Sequence, residues 1–253
     1  MKTSISDIDN YKQICKMAYE NEEIFNSFKR NDDYNFVLEH ADENVGIGYI
    51  NYIKNTKFDL SKLDKFKEND EQGSPVKFTY EKPFGLVSPT TLRYIKVLSE
   101  IEKIFGDLSG KKIIEIGVGY GGQSKIIMDY FNVSEYNYVD LPEVLNLTQK
   151  YLKKYNYQNL NFYDYENLPD NKEYDFIISN YAFTECNKDI QNIYLDKIIN
   201  KTKMGYITGN YIGQYFNVDT MSKYEIQDKI NGKVSVIDEV PLTHQDNYIL
   251  IWK

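Results

Sequence analysis

The stretch Lys112-Ile-Ile-Glu115-Ile-Gly117-Val-Gly119-Tyr120-Gly121-Gly122-Gln123 decides the fold of this chain. An apolar strand that carries one glutamate runs into a glycine-rich turn and then into a helix-like segment. Glycine is needed in such a turn because the backbone bends tightly, approaches a ligand closely and lets the next helix pack near the strand. The free N–H groups at the start of that helix face the ligand. The stretch therefore predicts a cradle for a nucleoside-bearing cofactor.

The composition excludes several classes of protein. The 253 residues include 38 Asp plus Glu against 30 Lys plus Arg, which argues against a broad nucleic-acid surface. Cys15 and Cys186 form no metal or redox motif, so we expect free thiols in a reducing compartment. No stretch approaches the roughly 18 apolar residues of a membrane span, and the N-terminus lacks a secretory h-region. We expect a soluble, cytoplasmic protein with no membrane span.

Strand and helix patterns alternate on both sides of the glycine turn. Ser88 and Pro89 have the character of a helix start, and Gly106 ends that helix. Two final strands have no helix between them, so they must be antiparallel. The pattern predicts an α/β fold with a Rossmann-like, mostly parallel sheet covered on both faces and an antiparallel last strand. The predicted strands cover residues 112–117, 136–140, 160–163, 174–179, 204–210, 233–237 and 248–252, with helices from 122, from 142 and around 190–198.

We divide the chain into an N-terminal helical segment with a lid loop, residues 1–87, and an α/β domain, residues 88–253. Short apolar repeats at helical spacing support the helical segment. Residues 71–90 contain three prolines and two glycines and predict a long irregular connection. Such a connection is either a lid over a site or a plain linker.

The glycine turn alone fits two cofactors. Gly117, Gly119 and Gly122 satisfy the dinucleotide pattern G-x-G-x-x-G, and Asp140 follows 23 residues after the first glycine, where a ribose acid belongs. Three features favour S-adenosylmethionine over NAD: the acidic Glu115 in the strand, the position of the motif more than 100 residues into the chain, and the antiparallel ending. NAD remains the alternative.

The pattern Glu115-x-Gly117-x-Gly119-x-Gly121, followed by Asp140, resembles motif I of class I S-adenosylmethionine-dependent methyltransferases. The resemblance implies that Gly117 and Gly119 admit the cofactor and that Glu115 orders its amino-acid end. It further implies that Asp140 accepts hydrogen bonds from both ribose hydroxyls. Near the end of the third strand, Asp164 is the expected partner of the adenine amine.

Further residues are expected in the cofactor pocket from their places in the predicted fold. We expect Arg93 to pair with the carboxylate of the cofactor; a surface arginine is the alternative. The other expected pocket residues are Tyr94, Tyr120, Gln123, Leu141, Asn180 and Tyr181.

A narrower resemblance covers roughly residues 85–253. Val118 departs from this second resemblance, because many members of the family named next have another glycine at that position. The chain is similar to bacterial sugar O-methyltransferases of surface-polysaccharide gene clusters, through Ser88-Pro-Thr-Thr-Leu-Arg-Tyr94, Glu115 to Gln123, Val139-Asp-Leu-Pro-Glu-Val144, Ser179-Asn-Tyr-Ala-Phe-Thr-Glu185, Pro241-Leu-Thr-His244 and Tyr248-Ile-Leu-Ile-Trp252. This resemblance implies methylation of a hydroxyl on a sugar or nucleotide sugar, with S-adenosylhomocysteine as the second product.

A sugar hydroxyl is a weak acid, so a positioned base contributes typically about 10² to 10⁴-fold to its methylation. His244, in the loop between the last two strands, is our candidate base; a loop-stabilising histidine is the alternative. Glu185 is the rival, unless it is a helix N-terminal charge. His40, within a charged helical segment, is expected to be a solvated surface residue.

Other substrate contacts are expected from single residues. Tyr211 could stack on a sugar face, and Lys77 and Lys82 could meet the diphosphate of a nucleotide sugar. No residues have metal-ligand spacing, so we expect no metal requirement. A homodimer is one candidate assembly. The alternatives in function are N-methylation of an amino sugar, an NAD-dependent sugar oxidoreductase and a non-catalytic cofactor-binding subunit.

Overall fold

The computed structural model describes residues 4–253. A seven-stranded sheet forms its centre, and a separate two-stranded hairpin lies outside it. The strands are β1 Phe78–Tyr80, β2 Gly85–Val87, β3 Lys112–Ile116, β4 Glu135–Val139, β5 Leu160–Tyr163, β6 Tyr174–Asn180, β7 Thr202–Gly209, β8 Ser235–Asp238 and β9 Tyr248–Trp252.

Strand order in the large sheet is β5-β4-β3-β6-β7-β9-β8. The first five strands in this order run parallel to their neighbours, whereas β9 is antiparallel to both β7 and β8. Ile113, Ile114 and Ile177 are fully buried, because a parallel sheet is covered on both faces and its strands read as apolar runs. The predicted α/β fold and its antiparallel ending are confirmed.

The helices are α1 Asp9–Glu20, α2 Glu22–Phe25, α3 Asp32–Tyr34, α4 Glu43–Thr56, α5 Leu63–Lys67, α6 Pro89–Phe105, α7 Gly122–Tyr130, α8 Pro142–Leu152, α9 Ala182–Glu185, α10 Lys188–Lys197 and α11 Lys223–Lys229. Helix α6 begins where the sequence predicts, since the Ser88 hydroxyl accepts a hydrogen bond from the Thr91 N–H at 3.1 Å and Pro89 occupies the first turn. It ends at Gly106, which has a φ of 79°. No helix among residues 4–253 is long and apolar enough to cross a membrane.

The region from 71 to 90 differs from the prediction of an irregular connection. It forms the antiparallel hairpin β1/β2, in which Phe78 pairs with Val87 and Tyr80 pairs with Gly85. The hairpin is stable in this position because Tyr80, Phe84 and Val87 are buried. Prolines and glycines are typical of turns, so the sequence did not predict this short strand pair.

The N-terminal helices pack onto the α/β part of the chain. Helix α1 packs on α8, and α4 packs on α6. Tyr11 and Phe28 join one continuous apolar core with sheet residues such as Tyr136 and Phe176. The N-terminal segment therefore lies against the sheet domain rather than apart from it, and the division at residue 87 stays a prediction.

Candidate functional site

The glycine turn lies at the carboxyl end of β3, where ligands bind in open parallel sheets. Gly117 and Gly119 have φ values of 78° and 54°, in the left-handed region that favours glycine. A Cβ on Gly117 would lie 1.9 Å from the Cβ of Ala182, the first residue of α9. Only glycine therefore lets the end of β6 approach the turn this closely.

Asp140 follows β4 and reaches over the same turn. Its Oδ2 accepts hydrogen bonds from the N–H groups of Val118 at 2.7 Å and Gly119 at 3.2 Å, and its Oδ1 accepts one from the Leu141 N–H at 2.8 Å. Burial raises the pKa of Asp140 to about 6, although the three N–H donors oppose the rise. The carboxylate and the glycine turn thus form one unit, as the sequence pattern requires.

Glu115 lies on β3 two residues before the turn and is 1% exposed. Its Oε2 accepts a hydrogen bond from the Tyr136 hydroxyl at 2.7 Å. Burial raises the pKa of Glu115 to about 8, and the charge of Asp140 acts in the same direction, against the Tyr136 hydrogen bond. A buried carboxyl that forms no ion pair within residues 4–253 is suited to receive a positively charged group of a ligand.

Three other predicted pocket residues form a packed group beside the turn. The rings of Tyr94 and Tyr120 contact each other at a centroid distance of 6.1 Å. Gln123 donates from Nε2 to the carbonyl oxygen of Tyr94 at 3.2 Å, while its buried Oε1 has no hydrogen-bond partner. Tyr120 is fully buried, and its hydroxyl accepts a hydrogen bond from Asn69. Tyr120 therefore supports the turn from behind.

Asp164 lies just after β5, at the edge predicted for adenine. Its carboxylate accepts hydrogen bonds from the N–H groups of Glu166 and Asn167 and from the Asn167 side chain, all at 2.8 to 3.0 Å. The side chain thus shapes its own turn, so its assignment to the adenine amine stays a prediction.

Arg93 projects from the first turns of α6 into a group of tyrosines and carboxyls. Its guanidinium carbon lies 5.3 Å from the centre of the Tyr94 ring. Its charge lowers the pKa of both Glu39 and Glu185 against the rise that burial causes. Tyr49 and Tyr181 are also within electrostatic reach of it. Arg93 is therefore a partly buried cation at the site, as a carboxylate-binding residue would be.

The two candidate bases lie in different surroundings. Glu185, on α9, accepts a hydrogen bond on Oε1 from the Asn210 side chain at 2.8 Å, and burial raises its pKa. The side chain of His244 is 47% exposed on the loop between β8 and β9. Its Nδ1 accepts a hydrogen bond from the Asp246 N–H at 3.4 Å. The structure thus brings Glu185 into the surroundings of Arg93, whereas the side chain of His244 is half exposed.

A part of the N-terminal segment covers the site, which the sequence did not predict. Residues Asn35–Glu39 form a single π-helical turn. An added Cβ on Gly119 would lie 2.8 Å from Leu38, and the ring of Phe36 contacts Phe216 beyond β7 at 6.3 Å. The segment therefore spans the carboxyl edge of the sheet from β3 to β7.

His40 follows this segment and is exposed at the surface, as expected. Partial desolvation and the Arg93 charge lower its pKa. Burial raises the pKa values of Tyr11 and Cys15 on α1, and the charge of Asp140 acts in the same direction. The charged composition of residues 1–70 gave no signal for these contacts.

The expected substrate residues lie apart from one another. Tyr211 packs its ring 5.4 Å from that of Tyr248 and lines a cavity of about 240 Å³ with Gln214, Tyr215 and Asp246. Lys77 and Lys82 are exposed on the hairpin β1/β2. The larger groove, of about 930 Å³, follows α1, α2 and the end of α8, away from the glycine turn. Within residues 4–253, no group of three or more His, Cys, Asp or Glu side chains could hold a metal ion.

No protein-family model and no curated protein matches this chain. It is similar in structure to the N-methyltransferase NodS from Bradyrhizobium japonicum WM9 in complex with S-adenosyl-L-homocysteine. The TM-score is 0.50 at 10% identity, over 63% of this chain and 83% of that one. The chain has the class I methyltransferase fold. The PH0226 protein from Pyrococcus horikoshii OT3 is similar to it with a TM-score of 0.50 at 12% identity, over 64% of this chain and 89% of that one. Identities this low establish the fold alone.

Proposed function

We propose that this chain is an S-adenosylmethionine-dependent methyltransferase. The observation that carries the proposal is the Asp140 carboxylate, which is bonded to the N–H groups of a left-handed glycine turn at the carboxyl end of β3. The antiparallel β9 within the sheet supports the methyl donor over a dinucleotide, since it belongs to the class I methyltransferase fold. When bound, S-adenosylmethionine supplies an electrophilic methyl group on a sulfonium.

Four residues of the chain would hold the donor. Asp140 would accept hydrogen bonds from the ribose hydroxyls, and Asp164 from the adenine amine. Glu115 would face the amino group of the methionine part and Arg93 its carboxylate. The pairing of each group with a ligand group of opposite charge or polarity supports this arrangement.

The acceptor we propose is a hydroxyl group of a sugar, with a nucleotide-linked sugar for a surface polysaccharide as the specific form. The narrower sequence resemblance supports the sugar. The carboxyl ends of β6 and β7 carry the hydrogen-bonding side chains of Tyr181, Glu185 and Asn210, which suit a polyhydroxy compound. Holding the acceptor oxygen in line with the methyl group and sulfur would supply much of the rate.

Glu185 is the better supported base of the two candidates. Burial raises its pKa, and a higher pKa makes an ionised carboxylate a better proton acceptor. Asn210 fixes the orientation of its carboxyl group. His244 is half exposed and, within residues 4–253, has only the Asp246 contacts to orient its ring, so we keep it as the second candidate.

The test is to incubate the protein with S-adenosylmethionine and a panel of UDP- and GDP-linked sugars, including amino sugars, and to measure products by mass spectrometry. We expect a gain of one CH₂ in one member of the panel. Glu185→Gln should lower kcat by about 10² to 10⁴-fold, and His244→Gln should have little effect. Methylation of an amino group only would support the N-methyltransferase alternative. No methylation of any member would contradict the proposal.

A further inference from the structure

Tyr181 has the most unusual backbone at the carboxyl edge of the sheet. It follows β6 directly and has φ 70° and ψ −40°, in a region that bulky residues rarely adopt. Its N–H donates to the Thr208 carbonyl at 2.8 Å, and its carbonyl accepts from the Thr184 N–H at 2.9 Å. Backbone strain that hydrogen bonds maintain in this way is concentrated at functional sites.

The position of Tyr181 places it between the proposed donor and acceptor sites. Its chain neighbour Ala182 packs against Gly117 of the glycine turn. Glu185 lies one helical turn further on, in α9. Tyr181 is partly exposed, and its hydroxyl meets the Thr243 hydroxyl in a solvent-exposed contact, so a ligand can approach it.

The hydroxyl of Tyr181 donates its proton to Glu239, a carboxyl group that is 6% exposed. The other oxygen of Glu239, Oε2, accepts three hydrogen bonds: from the N–H and the hydroxyl of Thr243 at 3.1 and 2.7 Å, and from the Asn247 side chain at 2.9 Å. The Thr243 hydroxyl oxygen also lies 3.4 Å from the Tyr181 hydroxyl oxygen. The Thr243 proton goes to the shorter contact, with Glu239 Oε2 at 2.7 Å, and the Tyr181 proton goes to Glu239 Oε1, so the Tyr181 oxygen has only lone pairs for any further partner.

We propose that Glu239 fixes Tyr181 as a hydrogen-bond acceptor, and that Tyr181 thereby selects methyl acceptors that present a hydroxyl or N–H group to it. This inference rests on the proposed function and names the chemistry of its substrate. Tyr181 touches the acceptor, whereas Glu239 is a positioning residue that acts through Tyr181. A deoxy, fluoro or methoxy group at that point of the acceptor leaves the Tyr181 oxygen without a proton donor.

The surroundings of Glu239 make this selectivity reversible by one substitution. In Glu239→Gln, the three hydrogen-bond donors that face Oε2 keep the oxygen of the new side-chain amide at that position. The amide nitrogen then faces Tyr181 and donates to it, so the Tyr181 proton becomes free to point at the ligand. The same tyrosine then donates instead of accepting.

The test uses the nucleotide sugar that the panel identifies, with its deoxy and fluoro-deoxy analogues at each hydroxyl that is not methylated. For the wild type we expect a loss in kcat/KM on the order of 10-fold with both analogues at one position. Tyr181→Phe should give the same kcat/KM for the parent compound and for its deoxy analogue. Glu239→Gln should prefer the fluoro-deoxy to the deoxy analogue at that position, because fluorine can accept the freed proton.

Tyr174→Phe is the matched control, since Tyr174 begins β6, the strand that Tyr181 follows, and its buried hydroxyl has no hydrogen-bond partner among residues 4–253. It should keep the wild-type selectivity. Saturable binding of S-adenosylhomocysteine by Tyr181→Phe in a calorimetric titration shows that the fold and the donor site survive. Wild-type discrimination in Tyr181→Phe, unchanged preference in Glu239→Gln, or no discrimination by the wild type would overturn the inference alone. A wild type that methylates no member of the panel overturns the proposed function and this inference with it.

Discussion

The carboxyl groups at the two ends of the central sheet have pKa values that are shifted in opposite directions. At the amino end, Glu135 accepts a hydrogen bond from Lys172, and Asp175 bonds to Lys203 at 2.8 Å. Burial would raise the pKa of Glu135, but the Lys172 bond lowers it, and the hydrogen bonds that Asp175 accepts lower the pKa of Asp175. At the carboxyl end, burial raises the pKa of Asp140, Glu115 and Glu185.

The difference separates stability from function within one sheet. A carboxyl that meets a lysine stabilises the fold when ionised, whereas a buried carboxyl whose pKa is raised destabilises the fold when ionised. Such a costly arrangement at the edge where ligands bind is typical of a site that awaits a charged or hydrogen-bonding ligand. Replacing a buried carboxyl at the carboxyl end should therefore change ligand affinity or raise the free energy of unfolding at high pH. Replacing a carboxyl at the amino end should lower the free energy of unfolding and leave ligand affinity unchanged.

Gly117→Ala should have the largest effect. The new methyl group would meet Ala182 at 1.9 Å, and the φ of 78° is unfavourable for alanine. We expect a loss of about 3 kcal/mol or more in the free energy of unfolding, with loss of S-adenosylhomocysteine binding. Gly110→Ala is the control, because Gly110 has a φ of 76° and no atom within 4 Å of the added Cβ. It should cost only about 1 to 2 kcal/mol and keep binding; equal effects would show that the close approach to α9 is unimportant.

Glu115→Gln should change how stability depends on pH. The folded pKa of about 8 exceeds the ordinary 4.5, so ionisation of Glu115 destabilises the wild type as pH rises from about 5 to 8. The amide avoids this loss. Urea unfolding should show the variant more stable than the wild type by an amount on the order of a few kcal/mol at pH 8 and nearly equal at pH 5. A variant that is less stable at pH 8 would contradict the account.

Asp140→Asn should weaken S-adenosylhomocysteine binding by about tenfold to a hundredfold, since each charged hydrogen bond contributes about 1.5 to 3 kcal/mol. In the wild type the same loss should appear as pH falls below about 6, because Asp140 becomes protonated there. Calorimetry across pH 5 to 8 measures both. An affinity that is independent of both pH and the substitution would exclude Asp140 from the ribose contacts.

Asp175→Asn should have the smallest effect. The side chain is 20% exposed, so loss of its Lys203 ion pair should cost less than about 1 kcal/mol at pH 7. Because its folded pKa is lowered, this contribution disappears as pH falls through that value. The affinity for S-adenosylhomocysteine should not change. An affinity loss here as large as that of Asp140→Asn would remove the contrast between the two ends.

Local patterns in the sequence were enough to predict the sheet and the donor turn. The strands at 160–163 and 248–252 match β5 and β9 because apolar runs between turn residues are a local signal. Asp140 was found from its spacing to Gly117, which the βα unit fixes. These predictions needed no knowledge of contacts distant in sequence.

The parts that were missed depend on distant contacts. Leu38 reaches Gly119, and Glu239 reaches Tyr181, across separations that no periodicity encodes. Glu239 could have been noticed as the acid just before the Pro241 to His244 motif. The motif drew attention to His244 instead, whose side chain the structure leaves half exposed.

The most direct test of the donor site is a pair of calorimetric titrations of the wild-type protein, one with S-adenosylhomocysteine and one with NAD. The account predicts saturable 1:1 binding of S-adenosylhomocysteine and no binding of NAD, because Asp140 and Glu115 would meet the ribose and the amino-acid end of S-adenosylhomocysteine. Tight binding of NAD without binding of S-adenosylhomocysteine would contradict it.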